Sequence, residues 1–274
     1  MPLHEITSSG NALFRTWQDC LVSKGIKKHG QFLVFGERAV RDTLERAPRL
    51  VRNLILPKGN EASFTALIER ARDLTNENPT RFSEVILSTE LFSELDVFGT
   101  QSAILVLTTP EIAEADLAIP PKGIEIVCGL QDASNLGALL RTAAAFSASQ
   151  VVLLKECASP FHPKAVRAAS GHTLSVRLSR GPSMKDIASF TSTNETLHRN
   201  LQSAWVALDM HGEQLPKFTW PKDVRLLLGE EGQGVPESKA FRYVSVPMAP
   251  EVESLNAGVA LGITMYSYRV SHPF

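Results

Sequence analysis

Three cysteines in 274 residues are an odd number with neither metal-ligand nor redox spacing. Cys20, Cys128 and Cys157 are therefore expected to be reduced, buried thiols of a cytoplasmic protein. His162, His172 and His211 form no metal-ligand pattern, so no metal is expected. No uncharged apolar run reaches membrane-spanning length. The first residues, Met1-Pro2-Leu3-His4-Glu5, lack a basic stretch followed by an apolar one, so no secretory signal is expected. Excess positive charge is missing as well. A net charge of -1 argues against the broad basic field usual among nucleic-acid binders. No G-x-x-x-x-G-K-[ST] loop occurs, and Gly229, Gly232 and Gly234 miss the third spacing of a dinucleotide fingerprint, with Pro236 following. Internal repeats and low-complexity segments are absent.

What remains is an ordinary globular composition, 43% hydrophobic and 21% charged, in a chain long enough for two domains. Strand and helix patterns alternate throughout, which predicts an α/β fold. In the first part, Leu13 to Val22 has a helical period, Gln31 to Gly36 reads as a strand and Glu37 to Ala47 as a helix stopped by Pro48. Val51 to Leu56 is a strand, Ser63 to Leu74 a helix capped by Ser63, and Val85 to Leu87 a strand. Ser88 to Leu95 is a short helix and Ser102 to Thr108 a strand. Prolines and acidic residues with little periodicity mark residues 111–122 as a linker. This divides the chain into domains 1–110 and 123–274.

After the linker, Ile124 to Cys128 is a continuous apolar run, as in a parallel sheet covered on both faces. Strands are expected at Gln150 to Leu154, Leu174 to Leu178, Ala204 to Leu208, Val224 to Leu228 and Tyr243 to Val246. Helices are expected at Leu136 to Phe146, Lys164 to Ala169, Ser183 to Leu201 and Leu255 to Tyr268. Net charge also hides a local imbalance. Nine basic residues lie between Arg15 and Arg52 (Arg15, Lys24, Lys27, Lys28, Arg38, Arg41, Arg46, Arg49 and Arg52), opposed by Asp19, Glu37, Asp42 and Glu45. Such a face can contact phosphates without making the whole protein basic, although a solvated helix face has the same composition.

Three separated segments carry the most information. They are Gln131-Asp132-Ala133-Ser134-Asn135-Leu136-Gly137 with Arg141-Thr142, Leu228-Gly229-Glu230-Glu231-Gly232-Gln233-Gly234, and Val246-Pro247-Met248 leading to Glu253-Ser254-Leu255-Asn256. Each sets small, amide or charged residues beside an apolar run. In this order they resemble the three motifs of the SpoU (TrmH-type) branch of the SPOUT methyltransferases, which methylate the ribose 2′-hydroxyl of RNA. The looser Phe32-Leu33-Val34-Phe35-Gly36-Glu37-Arg38 resembles the substrate-binding domain that precedes the catalytic domain in many members. The resemblance implies a mostly parallel sheet with a trefoil knot, a small α/β RNA-binding domain before it, and a homodimer formed through the catalytic domain. It implies S-adenosylmethionine as methyl donor and RNA as substrate, ribosomal RNA preferred. Transfer RNA, or a non-catalytic RNA-binding or ribosome-assembly role, is the alternative. Residue by residue, Asn135, Arg141, Glu231, Ser254 and Asn256 match the catalytic set, and Gly229, Val246 and Leu255 the cofactor contacts. A weaker match, Pro160-Phe161-His162-Pro163-Lys164 with Arg167, Ser170 and Gly171, departs from the family pattern at Ala169. Ser147 likewise stands where a glycine is common.

Overall fold

The computed structural model describes residues 4–76, 82–193, 205–229 and 234–274. The chain forms two compact units, residues 1–111 with 159–175, and residues 112–158 with 176–274. Among the described residues no helix is long and apolar enough to cross a membrane.

The first unit is built on a five-stranded sheet in the order β1-β4-β3-β5-β2. Its strands are β1 (His4–Ile6), β2 (Gln31–Val34), β3 (Val51–Pro57), β4 (Ser83–Leu87) and β5 (Ile104–Thr108). β1, β4 and β3 run parallel, whereas β5 is antiparallel to both β3 and β2. The expected helix from Leu13 to Val22 is instead two, α1 (Ala12–Asp19) and α2 (Ser23–His29). The break is steric: a Cβ at Gly25 would collide with the carbonyl group of Asp19, so the chain folds back there only because a glycine is present. Asn11 caps α1, its Oδ1 accepting from the Leu13 amide at 2.9 Å. Helices α3 (Glu37–Arg46) and α5 (Thr89–Leu95) fall where the pattern puts them. Ser63 is not a cap. A 3-10 turn over Glu61–Phe64 precedes α4 (Thr65–Thr75), and the Ser63 hydroxyl donates to Asn60 Oδ1 at 2.6 Å.

Residues 159–175 join this unit although they lie within the span expected of the second domain. Phe161 packs on Phe32 with ring centroids 4.9 Å apart, and the Arg167 guanidinium lies 5.1 Å from the Phe98 ring centre. Arg46 donates to the Gly171 carbonyl at 2.6 Å. The helix Pro163–Ala169 (α7 in chain order) is capped at its start by His162, whose Nδ1 accepts from the Lys164 amide. It ends at Ser170 and Gly171, both with positive φ (49° and 81°).

The second unit holds a six-stranded sheet, β11-β9-β10-β6-β7-β8, parallel throughout. Its strands are β6 (Ile124–Cys128), β7 (Gln150–Leu153), β8 (Leu178–Arg180), β9 (Trp205–Gln214), β10 (Val224–Leu228) and β11 (Arg242–Ser245). The helices are α6 (Ala133–Ala145), α8 (Met184–Thr193) and α9 (Ala257–Ser271); residues 194–201 of the expected Ser183 to Leu201 helix lie outside the described residues. β8 begins at Leu178, where the expected strand ends.

Both central strands, β6 and β10, are buried at every position, which explains their unbroken apolar runs. The two exceptions to that composition face each other. Arg225 pairs in register with Glu125, Nε to carboxylate oxygen 2.8 Å, and its remaining nitrogens donate to the carbonyls of Leu117 (2.7 Å) and Ile119. A buried ion pair repays its desolvation only when its other donors are satisfied, and here the chain before β6 satisfies them. Thus residues 112–122 do not dangle between units. They pack with the second, where the Ala115 amide also donates to the Arg180 carbonyl at 2.7 Å.

Candidate active site

The three sequence segments leave one edge of one sheet. Leu228 pairs with Cys128, so the loops beginning at Gly129 and Gly229 emerge side by side from the carboxyl ends of β6 and β10. β11 runs parallel to β9, and Val246 follows its last residue. After β6 the chain moves to β7 on one side, and after β10 to β11 beyond β9 on the other. Such a divergence opens a crevice at the carboxyl edge, the usual ligand position in open parallel sheets.

Asn135 sits in the first turn of α6. Asp132 caps this helix, its Oδ1 accepting from the Asn135 amide at 2.8 Å. Leu136, Gly137, Leu139, Leu140 and Ala143 bury the opposite side of α6. At its far end Ser147 takes φ 51°, a conformation costing roughly 1–2 kcal/mol for a side-chain-bearing residue. The Arg269 guanidinium offsets part of this by donating to the Phe146 and Ser147 carbonyls at 2.7 to 2.9 Å, a cation at a helix carboxyl end.

Asn256 caps α9. Its Oδ1 accepts from the amides of Gly258 (3.0 Å) and Val259 (3.4 Å), while its Nδ2 donates to Asn135 Oδ1 at 2.8 Å. First and third segments, 121 residues apart, thereby meet amide to amide. Small residues allow the approach: a Cβ at Gly258 would stand 3.3 Å from that of Ala138, and one at Gly262 3.9 Å from Thr142 Cγ2. α9 is a packed helix on this side only. Val259 and Ile263 are 51% and 40% exposed on the other side.

Gly229 has its own reason to be glycine. A Cβ there would lie 2.8 Å from Val235 N and closer still to the Gly234 carbonyl group, so the loop can close on itself only without a side chain. Val246 is half-buried, and Leu255 is exposed on the approach to α9. Arg141 and Ser254 are exposed and make no hydrogen bond or ion pair among the described residues. Glu231 and its neighbour Glu230 lie outside the described residues. The structure therefore joins Asn135 to Asn256 and leaves Arg141 and Ser254 uncoupled from them. Asp132 is a further residue of the site, and an aspartate three residues before Asn135 is a capping signal that sequence alone offers.

Cys128, at the end of β6, and Cys157 are free, with their sulfurs 4.0 Å apart. The Cys128 contact and burial push the half-buried Cys157 thiol upward, away from the reactive thiolate form.

An open parallel sheet with three converging loops at its carboxyl edge defines an α/β protein whose ligand site is assembled from distant segments. The chain belongs to the SpoU rRNA Methylase family, whose model matches residues 124–266. It is 35% identical over 265 residues to the ribosomal RNA small subunit methyltransferase G 2 of Syntrophobacter fumaroxidans, covering 96% of this chain. The chain spans only 49% of that relative's length. A 23S rRNA (uridine(2479)-2'-O)-methyltransferase of Streptomyces viridochromogenes is 27% identical over 94% of this chain and 90% of its own. The fold is shared with an AdoMet-bound rRNA methyltransferase from Sinorhizobium meliloti, at TM-score 0.77 and 21% identity over 99% of both chains.

Proposed function

We propose that this protein transfers a methyl group from S-adenosylmethionine to a ribose 2′-hydroxyl in RNA, with ribosomal RNA the preferred substrate. The observation that carries the reading is the Asn135–Asn256 contact, which joins the first and third family segments at the carboxyl edge of the sheet. The methyl donor supplies an electrophilic carbon on a sulfonium sulfur; the new O–C bond forms as the C–S bond breaks and the hydroxyl proton leaves. The residues present suit such a group: Gly229 closes a tight backbone loop, and Val246 and Leu255 add apolar surface beside it. A guanidinium does not lose its proton in a protein, so Arg141 is a charged organiser and not a base. It binds phosphate and lowers the pKa of the 2′-hydroxyl, whose proton passes to phosphate, water or a carboxylate such as Glu231.

The finer architecture belongs to the same proposal. The segment from β10 to α9 threads a loop to make a trefoil knot, a reading supported by the tight apposition of Gly229 and Gly234 and by the docking of α9 on α6. A second copy of the chain covers the exposed apolar face of α9, made by Val259, Ile263, Tyr266 and Val270. Residues 1–110 recognise folded RNA in the cytoplasm through shape and phosphate contacts. Several basic residues there are already engaged: Lys28 with Asp19, Arg41 with Glu37, Arg46 with Gly171 and Arg52 with Thr108. Arg15, Lys24, Lys27 and Arg49 are exposed without an ion-pair partner among the described residues, and they are the phosphate contacts.

Mapping 2′-O-methyl positions by alkaline resistance, in RNA from cells with and without the gene, tests this reading. One missing ribosomal site is expected, restored by the wild-type gene and not by Arg141→Ala, whose protein still binds S-adenosylmethionine in calorimetry. A missing transfer RNA site would move the substrate. An unchanged map together with no cofactor binding would replace the enzyme with an RNA-binding protein.

A further inference from the structure

The arginines of α3 spend their donors on the protein itself. Arg38 pairs with Asp42 at 3.6 Å, Arg41 with Glu37, and Arg46 donates to the Gly171 carbonyl. Arg167, on α7 of the same unit, does not. Its exposed guanidinium lies over the Phe98 ring, 5.1 Å from the centre, and has no hydrogen bond or ion pair among the described residues. A contact over a ring engages the positive charge and leaves the five N–H donors unspent.

The group is nevertheless held in place. Phe98 meets the buried Phe35 edge-on, with ring centroids 5.2 Å apart. Asp96, the nearest acid in sequence to that ring, is buried and already accepts from the Thr100 hydroxyl and the Gln101 amide. Gly36 stands on another side, where a Cβ would come within 3.4 Å of a guanidinium nitrogen. α7 is pinned at both flanks, by Phe161 on Phe32 and by Gly171, where a Cβ would lie 3.5 Å from the Ala39 backbone. Lys164, three residues earlier on the same helical face, also exposes an ammonium without an acceptor among the described residues.

We propose that Arg167, braced on Phe98, is a contact for the RNA backbone that donates to phosphate oxygens, with Lys164 a second cation beside it. The inference rests on the RNA reading above and deepens it. It carries the RNA-binding surface beyond residue 110, into a segment that follows the first motif in sequence and belongs to the amino-terminal unit in space. Phosphate is the fitting partner, because the guanidinium fork matches two of its oxygens and a group already braced loses less freedom on binding.

Filter retention of ribosomal and transfer RNA, from cells lacking the gene, by full-length protein over a range of potassium chloride tests this. Arg167→Gln should weaken binding about tenfold at low salt. Its plot of log affinity against log salt should be shallower by roughly 0.7–0.9, the share of one phosphate. Phe98→Leu keeps the charge but removes the ring, so affinity should fall about two- to fivefold with the slope unchanged. Arg70→Gln removes the same charge from an arginine already paired with Glu45, and should change affinity less than about twofold. Melting temperature and calorimetric affinity for S-adenosylmethionine should match wild type in both arginine variants. Equal losses in the two would reduce the effect to net charge, and an unaltered slope in Arg167→Gln would leave no phosphate there. Either result overturns the proposal, as does a Phe98→Leu variant that binds as tightly as wild type.

Methyl transfer from labelled S-adenosylmethionine to the same RNA separates this inference from the one beneath it. Arg167→Gln should raise KM for RNA and leave kcat unchanged. Weaker RNA binding in that variant, with no transfer by wild type, would sink the enzyme reading and keep the contact. Transfer by wild type, with Arg167→Gln binding RNA unimpaired, would do the opposite. RNA left unbound by wild type would overturn both.

Discussion

The glycine at position 229 offers a sharp test of how the second loop is built. In Gly229→Ala the new Cβ would sit 2.8 Å from Val235 N and closer to the Gly234 carbonyl group. Carbon contacts are comfortable near 3.5–4.0 Å, so the neighbouring backbone must move by about 1 Å, and backbone has no rotamer by which to escape. Overpacking of this kind costs about 1–3 kcal/mol. If the strain is released by opening the loop, it falls on ligand affinity, and S-adenosylmethionine binding weakens roughly 5- to 150-fold. Gly234 is the internal control. It has φ 69° but no described atom within 4 Å of where a Cβ would go, so Gly234→Asn, a residue that tolerates this region, should leave affinity within about threefold. Isothermal titration of both variants beside wild type decides the matter. Equal affinity for Gly229→Ala and wild type would show that the loop's closed form is not the binding form. A larger loss for Gly234→Asn would place the constraint on backbone conformation instead of on space.

Other outcomes follow from the packing and the charges. Arg225→Met strands the buried Glu125 carboxylate and two carbonyls, and should lose about 3–5 kcal/mol in urea denaturation. Adding Glu125→Leu should recover much of that loss; an unrecovered double variant would mean the carbonyl contacts dominate. Burial raises the Cys20 thiol from its ordinary 9.0 to about 11, so the folded state keeps a proton that the unfolded chain releases. Stability should therefore be fully present below pH 9 and decline toward pH 11 by up to about 2–3 kcal/mol, a slope that Cys20→Ala removes in urea titrations at each pH. Ile263→Asp, on the exposed face of α9, should convert a dimer to a monomer in sedimentation equilibrium; a monomeric wild type would refute the interface.

Much of the fold was legible because burial writes itself into composition. β6 and β10 are covered on both faces, and their runs are apolar to match. Longer-range causes left weaker marks. β9 extends to Gln214, well past the expected Leu208, because its polar tail pairs with β11. Gly212 permits the register shift at Tyr243 and Val244, where any Cβ would strike the partner backbone. The Ser63 cap failed because a 3-10 turn took that hydroxyl for its own closure. At the site, motif residues were visible as types in order. Their joining was not, since nothing local in Asn135 or Asn256 specifies the other. Nor does apolar periodicity say which core a helix will enter, so residues 159–175 read as part of the wrong unit.

That excursion has a consequence for how the protein comes into being. Emerging from the ribosome in order, the first 111 residues lack the cover for Phe32, which Phe161 later provides. The amino-terminal unit thus cannot finish until residue 175 has been made, by which time β6 and β7 of its neighbour already exist. Folding one unit after the other, the usual economy of multidomain chains, is closed to this one.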